Sequence, residues 1–304
     1  MMKNEYENLI FDGIASGLSL DIANLRLFPV VSVLPDNDAD LFALLDIVPG
    51  SGLIFKTNNV PNFSETYWNL LEAQKPSMMN NLAITNYKKK QYWIEGPSAT
   101  EVPIYTPSCS DVKNSIATGS SVDITIDSDN YPLPDVLFFP SYPSIVVNQT
   151  FLNFNRVANG QRFILRLHFD NTANIPLKPA GWFTSGAFNY AYHNKSAWVA
   201  GGDKVTWDAL FGKNGILKYI NSGLLVAMGI TIELQVFGKY DENVVKALQN
   251  NPDLTVWPFY LNSEYLTQTV ERCDDESVKI TISTDQNEIF MLGMQVASVS
   301  GLMN

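Results

Sequence analysis

The clearest alternation of apolar and polar positions lies at Ser121–Asp129, where Val122, Ile124 and Ile126 point one way and Asp123, Thr125 and Asp127 the other. That period of two is the signature of a half-buried β-strand. Nearly the same strand is written again at Ser277–Asp285, roughly half of the 304-residue chain later. Shorter β patterns surround both copies. Asn24–Leu34 reads as a strand with Leu25, Leu27, Val31 and Val33 inward, and Gly52–Thr57, Asn81–Tyr87, Gln91–Glu95, Val102–Tyr105 and Val136–Phe139 read as further strands. Beyond them come Ile145–Asn155, Arg162–Phe169, Leu224–Phe237, Leu254–Leu261, Val278–Ser283 and Ile289–Val299. Asn159-Gly160 is a hairpin signal between Ile145–Asn155 and Arg162–Phe169.

Helical spacing is rarer. Asn62 or Ser64 can cap a helix running to Gln74, with Glu65 in its first turn and Pro76 beyond it. Trp207 opens a helix reaching toward Asn221, which Gly212 and Gly215 interrupt, and Asp241–Asn250 is a short one stopped by Pro252. In the first twenty residues Leu9, Ile10, Phe11, Ile14 and Leu18 fall near helical spacing, with Gly13 and Gly17 between them. This segment reads as an N-terminal arm that docks on a neighbour or a membrane surface, or as a helix packed on its own domain. Asn171–Gly202 reads as a long loop rich in glycine and aromatic residues.

Three landmarks recur in order. Leu25-Arg26-Leu27 is echoed by Leu165-Arg166-Leu167, Trp68 by Trp207, and a cysteine precedes each late strand, Cys109 and Cys273. The order suggests a tandem duplication. The expected fold class is therefore all-β with a few short helices, in two tandem jelly-roll β-sandwich domains of roughly eight strands each. An arm at residues 1–20 leads to a first domain at 21–143 and a second at 144–304, with the junction in the stretch holding Pro140 and Pro143. Val122 should then be equivalent to Val278, and Trp68 to Trp207.

Composition sharpens this. Hydrophobic residues are 46% of the chain, ample for a core, while only 17% are charged, which suits surfaces that pack against neighbours. The net charge of −11 repels phosphate backbones, so direct nucleic-acid binding is not expected. No run approaches the roughly 20 apolar residues of a spanning helix. Met1–Glu7 lacks the pattern of a secretory leader.

Catalytic motifs are missing. The two histidines, His168 and His193, neighbour no nucleophile in sequence, and no serine elbow, zinc spacing or phosphate-binding loop occurs. We expect no enzymatic activity, no cofactor and no resident metal. Asp127 and Asp129 offer oxygens for a calcium ion, although an Asp-rich strand end is also an ordinary turn, and Asp170–Asn174 is a similar case. Trp182, Tyr190, Tyr192 and Trp198 stand out in the aromatic loop. They suit subunit contacts, packing beneath the loop itself, or a sugar-stacking platform.

Duplicated β-sandwich halves, a helix within each, chain length and the lack of a leader together resemble the double-jelly-roll major capsid proteins of icosahedral membrane-containing viruses and bacteriophages. That resemblance implies a structural virion protein made in the host cytoplasm. It implies pseudo-hexameric homotrimers that tile a shell with other capsid proteins, and contact with an internal membrane through the arm. It is architectural and carries over no functional residues. A carbohydrate-binding or tail-associated β-sandwich is the competing reading.

Overall fold

A computed structural model describes residues 5–130, 162–199, 204–238, 240, 242–250, 261 and 263–303. The expected junction near 143, the Asn159-Gly160 turn and the strands at Val136–Phe139 and Ile145–Asn155 lie outside the described residues, as does nearly all of Leu254–Leu261. In chain order the described helices and strands are α1 (Glu5–Gly17), β1 (Leu25–Val33), α2 (Asp38–Leu45), α3 (Phe63–Glu72), α4 (Met78–Tyr87), β2 (Trp93–Glu95), β3 (Glu101–Pro103), β4 (Tyr105–Thr106), α5 (Cys109–Ile116) and β5 (Ser120–Asp127). They continue with β6 (Phe163–Pro176), β7 (Lys178–Pro179), α6 (Ser185–His193), α7 (Trp207–Phe211), β8 (Tyr219–Val236), α8 (Glu242–Gln249), β9 (Leu266–Arg272), β10 (Val278–Thr284), β11 (Ile289–Ser298) and α9 (Val299–Met303).

One antiparallel sheet organises the fold, and β8 is its spine. Along one edge β8 pairs with β6 from Phe163↔Val236 to Pro176↔Gly223, and β5 pairs outside β6. Along its other edge the partner changes. Residues 219–228 pair with β11 and residues 231–236 with β10, so that β10 and β11 follow one another as a single broken row. A last row repeats the arrangement, with β9 beside β10 and β1 beside β11.

The change of partner is made at Gly229, whose φ is +61°. Leu225 and Ala227 before it and Ile230, Ile232, Leu234 and Val236 after it all enter the same core. Their numbering switches from odd to even, so one extra residue must be absorbed at the bulge to hold the apolar face in place. The Ile230 amide donates to Thr284 Oγ1 at 2.9 Å, which satisfies a backbone group where the ladder breaks. A β-carbon on Gly229 would stand 1.9 Å from Asp170 Oδ2. Both the left-handed backbone and the close approach demand glycine. Gly229→Ala is expected to destabilise the protein by roughly 2 kcal/mol or more, read as a lowered midpoint in urea; an unchanged midpoint would mean that the bulge relaxes freely.

Two apolar clusters result. The first is lined by β5, β6, β8, β9 and β10 and is filled by Phe11 and Ile14 of α1 and by Val245 and Leu248 of α8. The second lies on the opposite face of β8 and β11, where Leu224, Val226, Met291, Met294 and Val296 meet α2, α3, α5, α6 and α7. Both faces of the β8–β11 pairing are therefore buried, which explains the unbroken apolar run from Leu224 to Met228.

Several expectations need correction. The fold is β-rich with several short helices, but the sheet does not divide at 143: β1 and β5 join strands from the second half. The echoed strands are not placed alike: among the described residues β5 pairs with β6 alone, whereas β10 lies between β8 and β9. Alternation tells that a strand has one buried face; it does not tell which neighbour it takes. Residues 1–20 are not a free arm. Phe11, Ile14 and Ala15 are buried in the first cluster. Gly13 and Gly17, which look like helix breakers, are where α1 lies closest to β5: a β-carbon there would stand 2.7 Å from Ile126 and 2.4 Å from Ile124. Asn81–Tyr87 is helical, within α4, because Ser77 caps that helix by accepting from the Asn80 amide. The Trp207 helix ends at Phe211, before Gly212. The stretch Asn171–Gly202 is no continuous loop, since it completes β6 and contains α6.

Candidate functional site

Helix α3 begins without a cap of its own, because the Asn62 side chain makes no capping hydrogen bond. The cap comes from Asp46, just after α2. The Ser64 amide donates to Asp46 Oδ1 at 2.9 Å and the Ser64 hydroxyl to Oδ2 at 2.5 Å. The Tyr105 hydroxyl also donates to Oδ1, at 2.6 Å. A carboxylate at the first turn of a helix is favoured by the orphan amides and the helix dipole. Here it is also almost fully buried. Burial pushes the Asp46 carboxyl up to about 6, against the pull of its bonds to Ser64 and Tyr105. The three residues tie α2, α3 and β4 together. No sequence pattern joins them, because Asp46, Ser64 and Tyr105 stand in separate segments.

Above this network sits a cluster of aromatic rings. Trp182 is at its centre, fully buried, with ring centroids 5.6 Å from Tyr105, 6.1 Å from Phe63, Tyr67 and Trp93, and 6.2 Å from Tyr87. Its indole Nε1 donates to the Ile104 carbonyl at 2.9 Å. Trp198 is buried as well, its Nε1 donating to the Ala191 carbonyl at 3.0 Å. The expectation that Trp182 and Trp198 contact another subunit is therefore corrected: both are spent inside the protomer, and neither offers a face for sugar stacking. Tyr192 is partly buried against Trp207 and Phe211. Of the four aromatic candidates only Tyr190 is exposed.

The titratable residues singled out from the sequence are held by neighbours. His168 Nδ1 lies 2.7 Å from Asp123 Oδ1 and its Nε2 3.0 Å from Asp170 Oδ1. The bond to Asp123 is the larger cause that raises the His168 imidazole above its usual range. With both ring nitrogens taken up by carboxylates, the imidazole has no nitrogen left to act as a base. His193 Nε2 meets the Met303 carbonyl at 3.0 Å. At the end of β5, Arg162 pairs with both Asp127, at 2.7 Å, and Asp129, at 2.8 Å, and occupies the place where a cation was considered. Asp170 belongs to the His168 pair, while Asn171 and Asn174 bond to Ile116 and Gln295. Among the described residues no group of three or more His, Cys, Asp or Glu is placed to hold a metal ion.

No family model and no curated protein matches this chain.

The surface feature that stands out is apolar. On α4, Met78 is 91% exposed, with Met79 and Leu82 also open to solvent. Helix α6 runs beside it: Gly186 lies against Met79, and Tyr190, one turn on, is exposed. The far flank of α6 reaches α9, where the Asn189 amide donates to Met303 Sδ and Leu302 is exposed. Neither α4 nor α6 contains Asp, Glu, Lys or Arg. This face is not legible where Asn81–Tyr87 reads as a strand; Met78-Met79 followed by Leu82 at helical spacing is the signal the sequence holds. Among the described residues no helix is long and apolar enough to cross a membrane.

Proposed function

We propose that this chain is a structural protein that associates with copies of itself through the uncharged face of α4 and α6. The observation that carries the reading is the exposure of Met78, Met79, Leu82 and Tyr190 on two neighbouring helices without a charged side chain. Clustered exposed apolar residues of this kind mark contact surfaces. The partner is a second copy on grounds of charge. Acidic chains of net charge −11 repel except where the meeting face is uncharged. Lys88 and Lys89 follow α4 directly and give that face a basic border suited to an acidic region of the next copy, while Lys90 is paired with Glu101 of its own chain. Such a contact is head-to-tail, and head-to-tail contacts that close give rings.

The most specific form of this reading is the major capsid protein: two tandem jelly rolls per chain, trimers of pseudo-hexameric outline, a shell within a virion, and no enzymatic activity. The β-rich build and the low charged fraction support it. The sheet shared between the halves fits it least, because the family it resembles places its two jelly rolls side by side. The association itself is the broader claim.

Sedimentation across a range of concentrations tests it. The protein is expected to sediment as a trimer, and the double variant Met78→Glu/Leu82→Glu as a monomer with an unchanged melting temperature. A wild-type protein that stays monomeric at every concentration would remove the proposal.

A further inference from the structure

The outer side of α4 runs from apolar residues to a charge. Met78, Leu82, Thr85 and Lys89 are all exposed and follow one another at helical spacing. The same spacing carries the opposite order of chemistry on α2. Asp36, just ahead of that helix, and Asp40 are exposed, and Ala43 and Ile47 beyond them are partly exposed. Asp36 to Ile47 covers the same number of residues as Met78 to Lys89, roughly 16 Å at helical rise. At the apolar end of α2 the surface falls into a cavity of about 170 Å³ that is open to solvent. Its wall includes Leu45, Ile47, Pro49, Leu177, Ala297 and Leu302, and among the described residues no charged side chain lines it. A cavity of about 150 Å³ admits a benzene ring, so this one has room for a methionine side chain.

Resting on the association through α4, we propose that the surface receiving α4 in the next copy is α2 together with the cavity beyond it. The two helices lie antiparallel. Lys89 meets Asp36 and Asp40, Leu82 lies over Ala43, whose small side chain permits close approach, and Met78 passes Ile47 into the cavity. Asp38 takes no part, since its carboxylate accepts from the Cys109 amide at 2.7 Å. Charge selects the direction: with the helices parallel, Lys89 would be driven onto the uncharged cavity and Met78 onto the aspartates. The thioether of Met78, now 91% exposed, leaves water, and its flexible chain suits an irregular socket. The local attraction also offsets the repulsion between chains of net charge −11. Knob and socket are different surfaces of one chain, so each copy gives one and receives one, and the contact is head-to-tail.

Sedimentation of the full chain and its variants tests this. Ala297→Phe keeps α4 intact and fills the cavity. It should weaken association by roughly tenfold or more, because the burial of one large apolar side chain is lost. Mixed with Met78→Glu/Leu82→Glu, which keeps the cavity, it should form heterodimers at concentrations where each variant alone is monomeric, since each supplies the half that the other lacks. At low salt Asp36→Lys should weaken association roughly threefold or more, and adding Lys89→Glu should restore it. Asp36 and Lys89 are both exposed, so this exchange decides even where Ala297→Phe lowers the melting temperature. Undiminished association of a folded Ala297→Phe, a mixture that stays monomeric, or no restoration by Lys89→Glu would each overturn docking on α2 and leave association through α4 standing. A wild type that stays monomeric would remove both.

Discussion

Trp182→Ala should destabilise the folded protomer by about 3–5 kcal/mol, the range for truncating a large buried aromatic residue. The reason is its position. Trp182 contacts rings from α3, α4, β2 and β4 at once, and its indole N–H satisfies the Ile104 carbonyl. Removing it opens a large void and leaves that carbonyl without its donor. Domains of ordinary stability have about 5–15 kcal/mol in total, so a loss of this size brings the protein near its threshold. Urea unfolding followed by fluorescence measures it, and the midpoint should fall by the same amount at low and high protein concentration. A variant with an unchanged midpoint and weakened oligomers would instead return Trp182 to the role of a subunit contact.

The second large effect concerns Asp46. Its carboxyl ordinarily titrates at 3.8 and in the fold at about 6. The folded state therefore holds the proton more firmly than the unfolded chain between those values. Stability from this group is highest below pH 4, declines as pH rises through 6, and is flat above. The span from 3.8 to about 6 corresponds to roughly 3 kcal/mol. Asp46→Asn keeps an acceptor for the Ser64 amide and the Tyr105 hydroxyl, and its NH2 can donate to Ser64 Oγ. It is expected to be more stable than the wild type at pH 7.5, by up to roughly 3 kcal/mol, with the difference vanishing near pH 4. Carboxylates such as Asp111, Asp127 and Asp275 are lowered by their hydrogen bonds and tilt the wild-type curve the other way. The difference between the two proteins isolates Asp46. An Asn variant less stable than wild type at pH 7.5 would show that the charge at the α3 N-terminus outweighs its burial.

What could be read from the sequence was local. The Val122–Ile126 alternation marks β5, Asp241–Asn250 contains α8, and Pro76 stands just beyond α3. Pairing was not legible. The Ser121 and Ser277 strands share a pattern because each has one buried face, and the pattern says nothing of whether β6 or β8 lies alongside. Gly13 and Gly17 carried a message about close approach that resembles the message of a broken helix. Asp46 gave no signal at all. Its helix-capping partner stands in another element, and its burial arises only when α2, α3 and β4 converge. Asn221 reads from the sequence as the end of the Trp207 helix, whereas it lies in β8. The four loop aromatics stand out by their density, but that Trp182 packs inward depends on rings from elements far away in sequence.

The pairing of β1 with β11 has a consequence for synthesis on the ribosome. Arg26 faces Met294 and Val33 faces Phe290, so a strand translated early waits for one translated some 260 residues later. At roughly 5–20 residues per second that delay is on the order of 13–50 s. Throughout it, Leu25, Leu27 and Val31 have no sheet to join, and neither apolar cluster can close. Closure of both clusters therefore waits until β8 and β11 have emerged, a delay set by topology rather than by any single slow step.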